Sequence, residues 1–324
     1  MTTPLSLEKF VVIIPTYRRA EMLRARIKEI SNWNRLKRLV LSVDGLRQSS
    51  DRNEAQLNQE VINVARSLAL RDSRIQVLEW KDNQGLNIHF ARIFEEFKSE
   101  SSVLIVEEDT SVDTIALDFL ADNSRKKGSL AASGYVRQTH SRNKPDDSFK
   151  TLFPLQWGLS ITSEVMEHYL YVLRTGNFNK SAIRKVFRSQ LSEVLQIYEL
   201  EKLIQWWFNH FYFARHHGNF ADALIQYSVY SNLGFYRAPA WSLVKDVARN
   251  DDLNSLTPRI ASNDQAECAY LYENKLDGEF ECLGCQIRHS HLEETGLIKL
   301  ARATRFRRTN PLFHNELKLD FSYK

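Results

Sequence analysis

The stretch that most limits what this chain can become is Val103-Leu104-Ile105-Val106-Glu107-Glu108-Asp109-Thr110, four apolar residues running straight into three carboxylates. A short, mostly β-branched apolar run reads as a buried strand, central in a parallel sheet. Acids at its C-terminal end then fall where open α/β sheets bind their ligands. Three adjacent carboxylates repel one another, and a bound cation offsets that repulsion.

The residues before this strand supply its neighbours. Phe10 to Pro15 is a second buried strand, followed by Thr16-Tyr17-Arg18-Arg19 and a helix with Met22, Leu23, Ile27 and Ile30 at helical spacing. Leu39 to Val43 is a strand closed by Asp44-Gly45, and Gln56 to Leu70 is a helix with Leu57, Val61, Val64 and Leu68 on one face. Ile75 to Leu78, a turn at Asp82-Asn83-Gln84-Gly85 and a helix from Ile88 to Phe97 complete the series. Strand and helix alternating in this way predict a parallel α/β sheet.

Beyond the acids the pattern predicts a helix over Leu117 to Lys127, a strand over Leu130 to Gln138, a charged loop from His140 to Lys150 and a returning strand over Leu152 to Ile161. Val165 to His217 is helical and rich in aromatic residues. It reads as a subdomain with its rings buried, or as an amphipathic patch touching a membrane or a lipid-linked substrate. Asn219 to Tyr230 predicts a helix, Leu233 to Tyr236 a short strand, and Arg237 to Asp252 a loop closing over a site. We divide the chain into a core over 1–164, a helical insertion over 165–218 and a C-terminal part of the same domain over 219–324.

Composition narrows the class. At 324 residues, 43% apolar and 26% charged, the chain has the make-up of an ordinary globular protein. A formal charge of +4 allows an anionic ligand without indicating nucleic acid. Three cysteines make no disulfide framework. The polar start lacks the shape of a signal peptide, and no apolar run reaches the length of a spanning helix. The expectation is a cytoplasmic protein that rests at most on the inner face of the cytoplasmic membrane.

In chain order these pieces are a strand with Thr-Tyr-Arg, a strand with Val-Asp-Gly, a turn with Asn-Gln-Gly-Leu-Asn and a strand with Glu-Glu-Asp. The series resembles the GT-A glycosyltransferases, in particular family-2-like enzymes and the N-acetylglucosaminyltransferase I type, over residues 10–160. A weaker likeness continues over Phe220 to Val244. The resemblance implies an α/β, Rossmann-like GT-A fold with a mostly parallel central sheet, flanking helices and an aromatic-rich helical insertion.

It also implies roles. Asp109 would hold Mn²⁺ or Mg²⁺ and Glu108 would face the ribose of a UDP- or GDP-linked sugar, with Glu107 on the same strand face as Asp109 and assisting through a water. Hard cations take few protein carboxylates when phosphate supplies the other oxygens. Thr16, Tyr17 and Arg18 would hold the nucleoside and diphosphate, Asp44 the base, and Gly85 and Asn87 the loop beside the donor. Trp157 and Gly158 match a segment near sugar and acceptor. Asp222 would be the base that takes the acceptor's proton in an inverting transfer, with Asp246, Asp251 and Asp252 as substitutes. The acceptor would be a saccharide or a lipid-linked saccharide in glycan or polysaccharide synthesis.

Each residue has a plainer reading: a solvated acidic turn, Thr16 or Asp222 as a helix N-cap, Gly85 as a turn, Trp157 as core. Two other functions stand beside transfer. One is a non-catalytic GT-A-like protein that binds glycans or acts as a scaffold. The other is a nucleotidyltransferase, disfavoured because Thr-Tyr-Arg-Arg replaces the glycine-rich loop that cradles a triphosphate. Cys282, Cys285, His289 and His291 form a separate candidate for zinc, against buried thiols and surface histidines.

Overall fold

A computed structural model describes residues 8–135, 148–151, 155–177, 179–191, 200–201, 204–205, 207–208, 221–239 and 242–247. Strands β1 (Phe10–Thr16), β2 (Leu36–Val43), β3 (Ile75–Glu79) and β4 (Ser102–Ile105) alternate with helices α1 (Ala20–Ile30), α2 (Arg52–Ala69) and α3 (Leu86–Phe97). Then come β5 (Thr110–Ser111), α4 (Thr114–Asn123), β6 (Ser129–Tyr135), β7 (Ser148–Thr151) and β8 (Leu155–Thr162). The rest are α5 (Ser163–Thr175), α6 (Lys180–Leu191), α7 (Ala221–Ser231), β9 (Phe235–Pro239) and β10 (Lys245–Asp246).

Eight strands form one sheet in the order β3-β2-β1-β4-β8-β6-β9-β7. The half β3-β2-β1-β4 is parallel throughout. β8 pairs antiparallel with both β4 and β6, β9 is parallel to β6, and β7 closes the edge antiparallel to β9. This is the α/β architecture expected from the sequence, with helices on both faces.

β1 shows why. Val11 and Ile13 point into one core with Phe90, Phe94, Val103 and Tyr169, whereas Phe10, Val12 and Ile14 point into the other with Leu23, Ile27, Val61 and Leu104. A strand buried on both sides must be apolar at every position, and a central parallel strand is the place for it. The first core takes in α3, α5, α6 and α7, and the second takes in α1, α2 and α4. Tyr169, Phe187 and Trp207 are buried in the first, so these rings of the aromatic-rich segment pack in the interior, while Tyr171 is exposed. Among the described residues no helix is long and apolar enough to cross a membrane.

Three local expectations change. The opening strand stops at Ile105, and the acids leave it in a turn closed by Thr110 N–H donating to the Glu107 carbonyl, 2.9 Å. Glu107 and Asp109 therefore do not share a strand face. The charged loop expected to run to Lys150 gives way at Ser148 to the edge strand β7. The expected closing loop after β9 contains β10, which pairs with β5. The cysteine–histidine candidate at Cys282, Cys285, His289 and His291 lies outside the described residues, as do Asp251 and Asp252.

Candidate functional site

Parallel pairing aligns Thr16 with Val43 and Ile13 with Ile105, so the loops after β1, β2 and β4 leave the sheet side by side. Side chains and backbone then tie these loops together. Asp44 N–H donates to the Thr16 carbonyl at 3.0 Å. Asn58 of α2 donates through Nδ2 to the carbonyls of Tyr17, 2.7 Å, and Asp44, 3.0 Å. Gly45 lies so close to the next loop that a Cβ there would come within 2.5 Å of Asp82 N. Gly85, at φ 88°, precedes α3 in a conformation that side chains rarely adopt. Asn87 is buried in the first turn of α3, and its carbonyl accepts from the Tyr169 hydroxyl at 3.0 Å.

The acidic turn sits against the β1 loop. Glu108 is buried and accepts from the Thr16 hydroxyl and from Tyr17 N–H, the latter at 3.3 Å. Burial pushes its carboxyl up to about 7, although the Thr16 hydrogen bond and the Arg19 charge pull it down. Asp109 accepts from Arg19 Nη1 at 2.7 Å, and the same nitrogen is 3.7 Å from Glu108 Oε1. Glu107 is pushed well above the carboxylate range by burial and then by the charges of Asp109, Asp222 and Glu108. Asp222 is in the first turn of α7. The residue as a whole is exposed, yet burial by the surrounding protein raises its carboxyl to about 6.

Beside Asp44 lies a buried polar chain. Trp80 Nε1 donates to Ser42 Oγ at 2.9 Å, and Ser42 Oγ is 2.7 Å from His89 Nε2. Burial, helped by the Arg92 charge, lowers His89 to about 4, so the ring is neutral at pH 7. The other ring nitrogen, Nδ1, is 3.7 Å from Asp44 Oδ2. Asp44 accepts from Gly45 N–H at 2.9 Å, and burial raises its carboxyl to about 6.

The remaining candidates sit further out. Arg18 pairs with Glu54 at 3.6 Å, and Tyr17 lies under the Arg47 guanidinium, 5.6 Å from its ring centre. Trp157 packs edge-on against Tyr135 at 4.5 Å between ring centres. Gly158, at φ 64°, and Gly134 both face Val244; a Cβ would meet Val244 Cγ1 at 3.0 and 2.7 Å respectively. Val244 belongs to a strap after β9 that carries β10, and beyond it Val247 N–H donates to the Asp109 carbonyl at 2.9 Å.

Several residues that build the site were not singled out from the sequence. Arg19 stood next to the chosen Arg18. Glu29 of α1 accepts from Ser111 Oγ and Val112 N–H, each at 3.0 Å, and so anchors the exit of the acidic turn. Asn58, Ser42, His89 and Val244 complete the set. Only Arg19 had a signal, its place in the Thr-Tyr-Arg-Arg run.

For a divalent cation the donor set is chemically suitable: Asp109 presents hard oxygens beside two further carboxylates. Among the described residues no group of three or more His, Cys, Asp or Glu is arranged to hold a metal unaided.

No family model and no curated protein matches the sequence. Solved structures do. One is the mannosyltransferase PcManGT from Pyrobaculum calidifontis in complex with GDP-Man and Mn²⁺, 14% identical over 68% of this chain and 69% of that one, TM-score 0.40. Another is GalNAc-T7 with UDP, GalNAc and Mn²⁺, 9% identical over 74% of this chain and 44% of that one, TM-score 0.46. A third is the 1–349 fragment of S. aureus TarS, 15% identical over 49% of this chain and 48% of that one, TM-score 0.36. The chain thus spans about half the length of the latter two.

Proposed function

We propose that the chain is a metal-dependent glycosyltransferase of GT-A, family-2-like type, taking a sugar from a UDP- or GDP-linked donor with inversion. The observation that carries this reading is the gathering of Asp44, Glu108 and Asp109 at the carboxyl ends of β2 and β4, the parallel strands on either side of β1, with Asp222 close enough to be felt by Glu107.

In this reading Asp44 accepts a hydrogen bond from the base and is held by Gly45 and the His89 side. Glu108, fixed by Thr16 and Tyr17, faces the ribose. Asp109 holds Mn²⁺ or Mg²⁺, which when bound offsets charge on the diphosphate. Asp222, ionised above about pH 6, takes the proton of the acceptor hydroxyl as that oxygen bonds to the anomeric carbon. The bond from that carbon to the diphosphate breaks, and its electron pair leaves with the phosphate oxygen. Trp157 and Gly158 stand near the sugar and the acceptor. The acceptor is a saccharide or lipid-linked saccharide, and the 165–218 and 219–324 regions select it at or near the cytoplasmic membrane face.

The test is a thermal-shift panel of UDP-, GDP-, CMP- and dTDP-linked sugars with and without Mn²⁺, followed by turnover of the donor that shifts. Asp109→Asn is expected to lower metal-dependent turnover by at least about 100-fold with an unchanged melting temperature. Full activity in that variant rejects the assignment.

A further inference from the structure

Arg19 occupies an unusual place. It immediately precedes α1 at the N-cap position, with φ −114° and ψ 70°, and its side chain makes no capping hydrogen bond. That position favours a short side chain that accepts a hydrogen bond, and the positive end of the helix dipole disfavours a cation there. The side chain turns instead to the acidic turn, 2.7 Å from Asp109 Oδ2 and 3.7 Å from Glu108 Oε1. Its neighbour Arg18 turns away to Glu54. Arg19 is about 20% exposed and Asp109 about 26%, so the pair is partly shielded and can still be reached from solvent.

A guanidinium 2.7 Å from Asp109 Oδ2 takes one of the carboxylate's acceptor sites, and its positive charge opposes a divalent cation that approaches the same carboxylate. A diphosphate offers the guanidinium several oxygens of higher charge density and a forked geometry that suits it.

We propose that Arg19 is a tethered competitor for the metal at Asp109, displaced when the donor's diphosphate engages it, so that nucleotide and metal bind as a coupled pair. The proposal rests on Asp109 being the metal carboxylate. Coupling of this kind is reciprocal: whatever factor the nucleotide adds to metal affinity, the metal adds to nucleotide affinity.

The experiment titrates the full chain with Mn²⁺ and follows free Mn²⁺ by electron paramagnetic resonance, first alone and then with saturating UDP or GDP. Wild type is expected to bind Mn²⁺ at least tenfold more tightly with one of the two nucleotides. Arg19→Gln is expected to bind Mn²⁺ about tenfold more tightly than wild type without nucleotide, and to show a smaller nucleotide effect. Arg19→Lys, which keeps a cation but loses the fork, is expected to gain less, and it serves if the glutamine variant does not fold. Nucleotide-free Mn²⁺ affinity no higher than wild type in either variant overturns the proposal, as does a wild type whose Mn²⁺ affinity ignores both nucleotides. Asp109→Asn is the separating arm and is expected to lose Mn²⁺ binding. If it binds Mn²⁺ like wild type, the metal assignment itself falls and the competition falls with it.

Discussion

Asp44 and His89 are two buried groups whose protonation is displaced in opposite directions. Asp44 moves from 3.8 to about 6 and His89 from 6.5 to about 4, each mainly through burial. A raised carboxyl makes a folded protein bind a proton that the unfolded chain has released, so its contribution to stability is complete below pH 3.8 and is lost as pH rises through about 6. The histidine has the opposite sign: the unfolded chain holds the extra proton, and stability is gained as pH rises through the same window. Asp44→Asn removes the first effect. Measured by chemical denaturation, the stability of this variant relative to wild type is expected to rise by roughly 2–3 kcal/mol between pH 4 and pH 7. A difference that stays constant with pH rejects the buried, protonated Asp44. At this scale the sequence was readable in residue type but not in direction. Thr-Tyr-Arg-Arg announced a guanidinium near the acids, and only the backbone at the start of α1 decides that Arg19 supplies it while Arg18 turns to Glu54. Ser42 and His89 carried no pattern, because they meet across elements distant in sequence, β2 and α3.

The elements divide in a similar way. β1 to β4 and their helices were legible because continuous apolar runs and 3.6-residue spacing survive in the primary structure. β7 and β10 were not, since a short edge strand has one neighbour and needs little apolar character. The strap that carries β10 is seated on a steric fit: Val244 is buried and faces Gly134 on β6 and Gly158 on β8. Gly134→Ala puts a methyl 2.7 Å from Val244 Cγ1, and the crowding is expected to cost roughly 1–3 kcal/mol. Val244→Ala opens the space again. The double variant is therefore expected to be more stable than the sum of the single effects by about 1 kcal/mol or more. Additive single-variant effects in urea denaturation would show that the strap does not seat on these glycines. The two-glycine seat was invisible in the sequence, where Gly158 drew attention for its neighbour Trp157 and Gly134 drew none.

At the scale of the whole molecule, two cores share one sheet and the site lies along the edge where its central strands end. The α/β class follows from the alternation of elements in the first 110 residues. The antiparallel return of β8 between β4 and β6 does not, because strand order is set by packing rather than by local pattern. Local stability is expected to be uneven. Backbone amides of β1, β2 and β4, buried on both faces, should exchange with deuterium slowest, and the Val247 amide among the fastest of the paired amides. Equal protection in hydrogen-exchange mass spectrometry would contradict this.

The Val247 to Asp109 hydrogen bond also has a temporal meaning. The parallel half is complete in the chain once β4 has been made, whereas the acidic turn receives this last backbone donor from a residue far downstream, after β9. Contacts of long sequence separation form late, because the loop they close must first lose its freedom. On the ribosome, a chain that has emerged only as far as α4 already carries Glu107, Glu108 and Asp109 but not their clasp. The acidic turn reaches its final shape only once the strap has been made, so a truncated product does not present a finished copy of it.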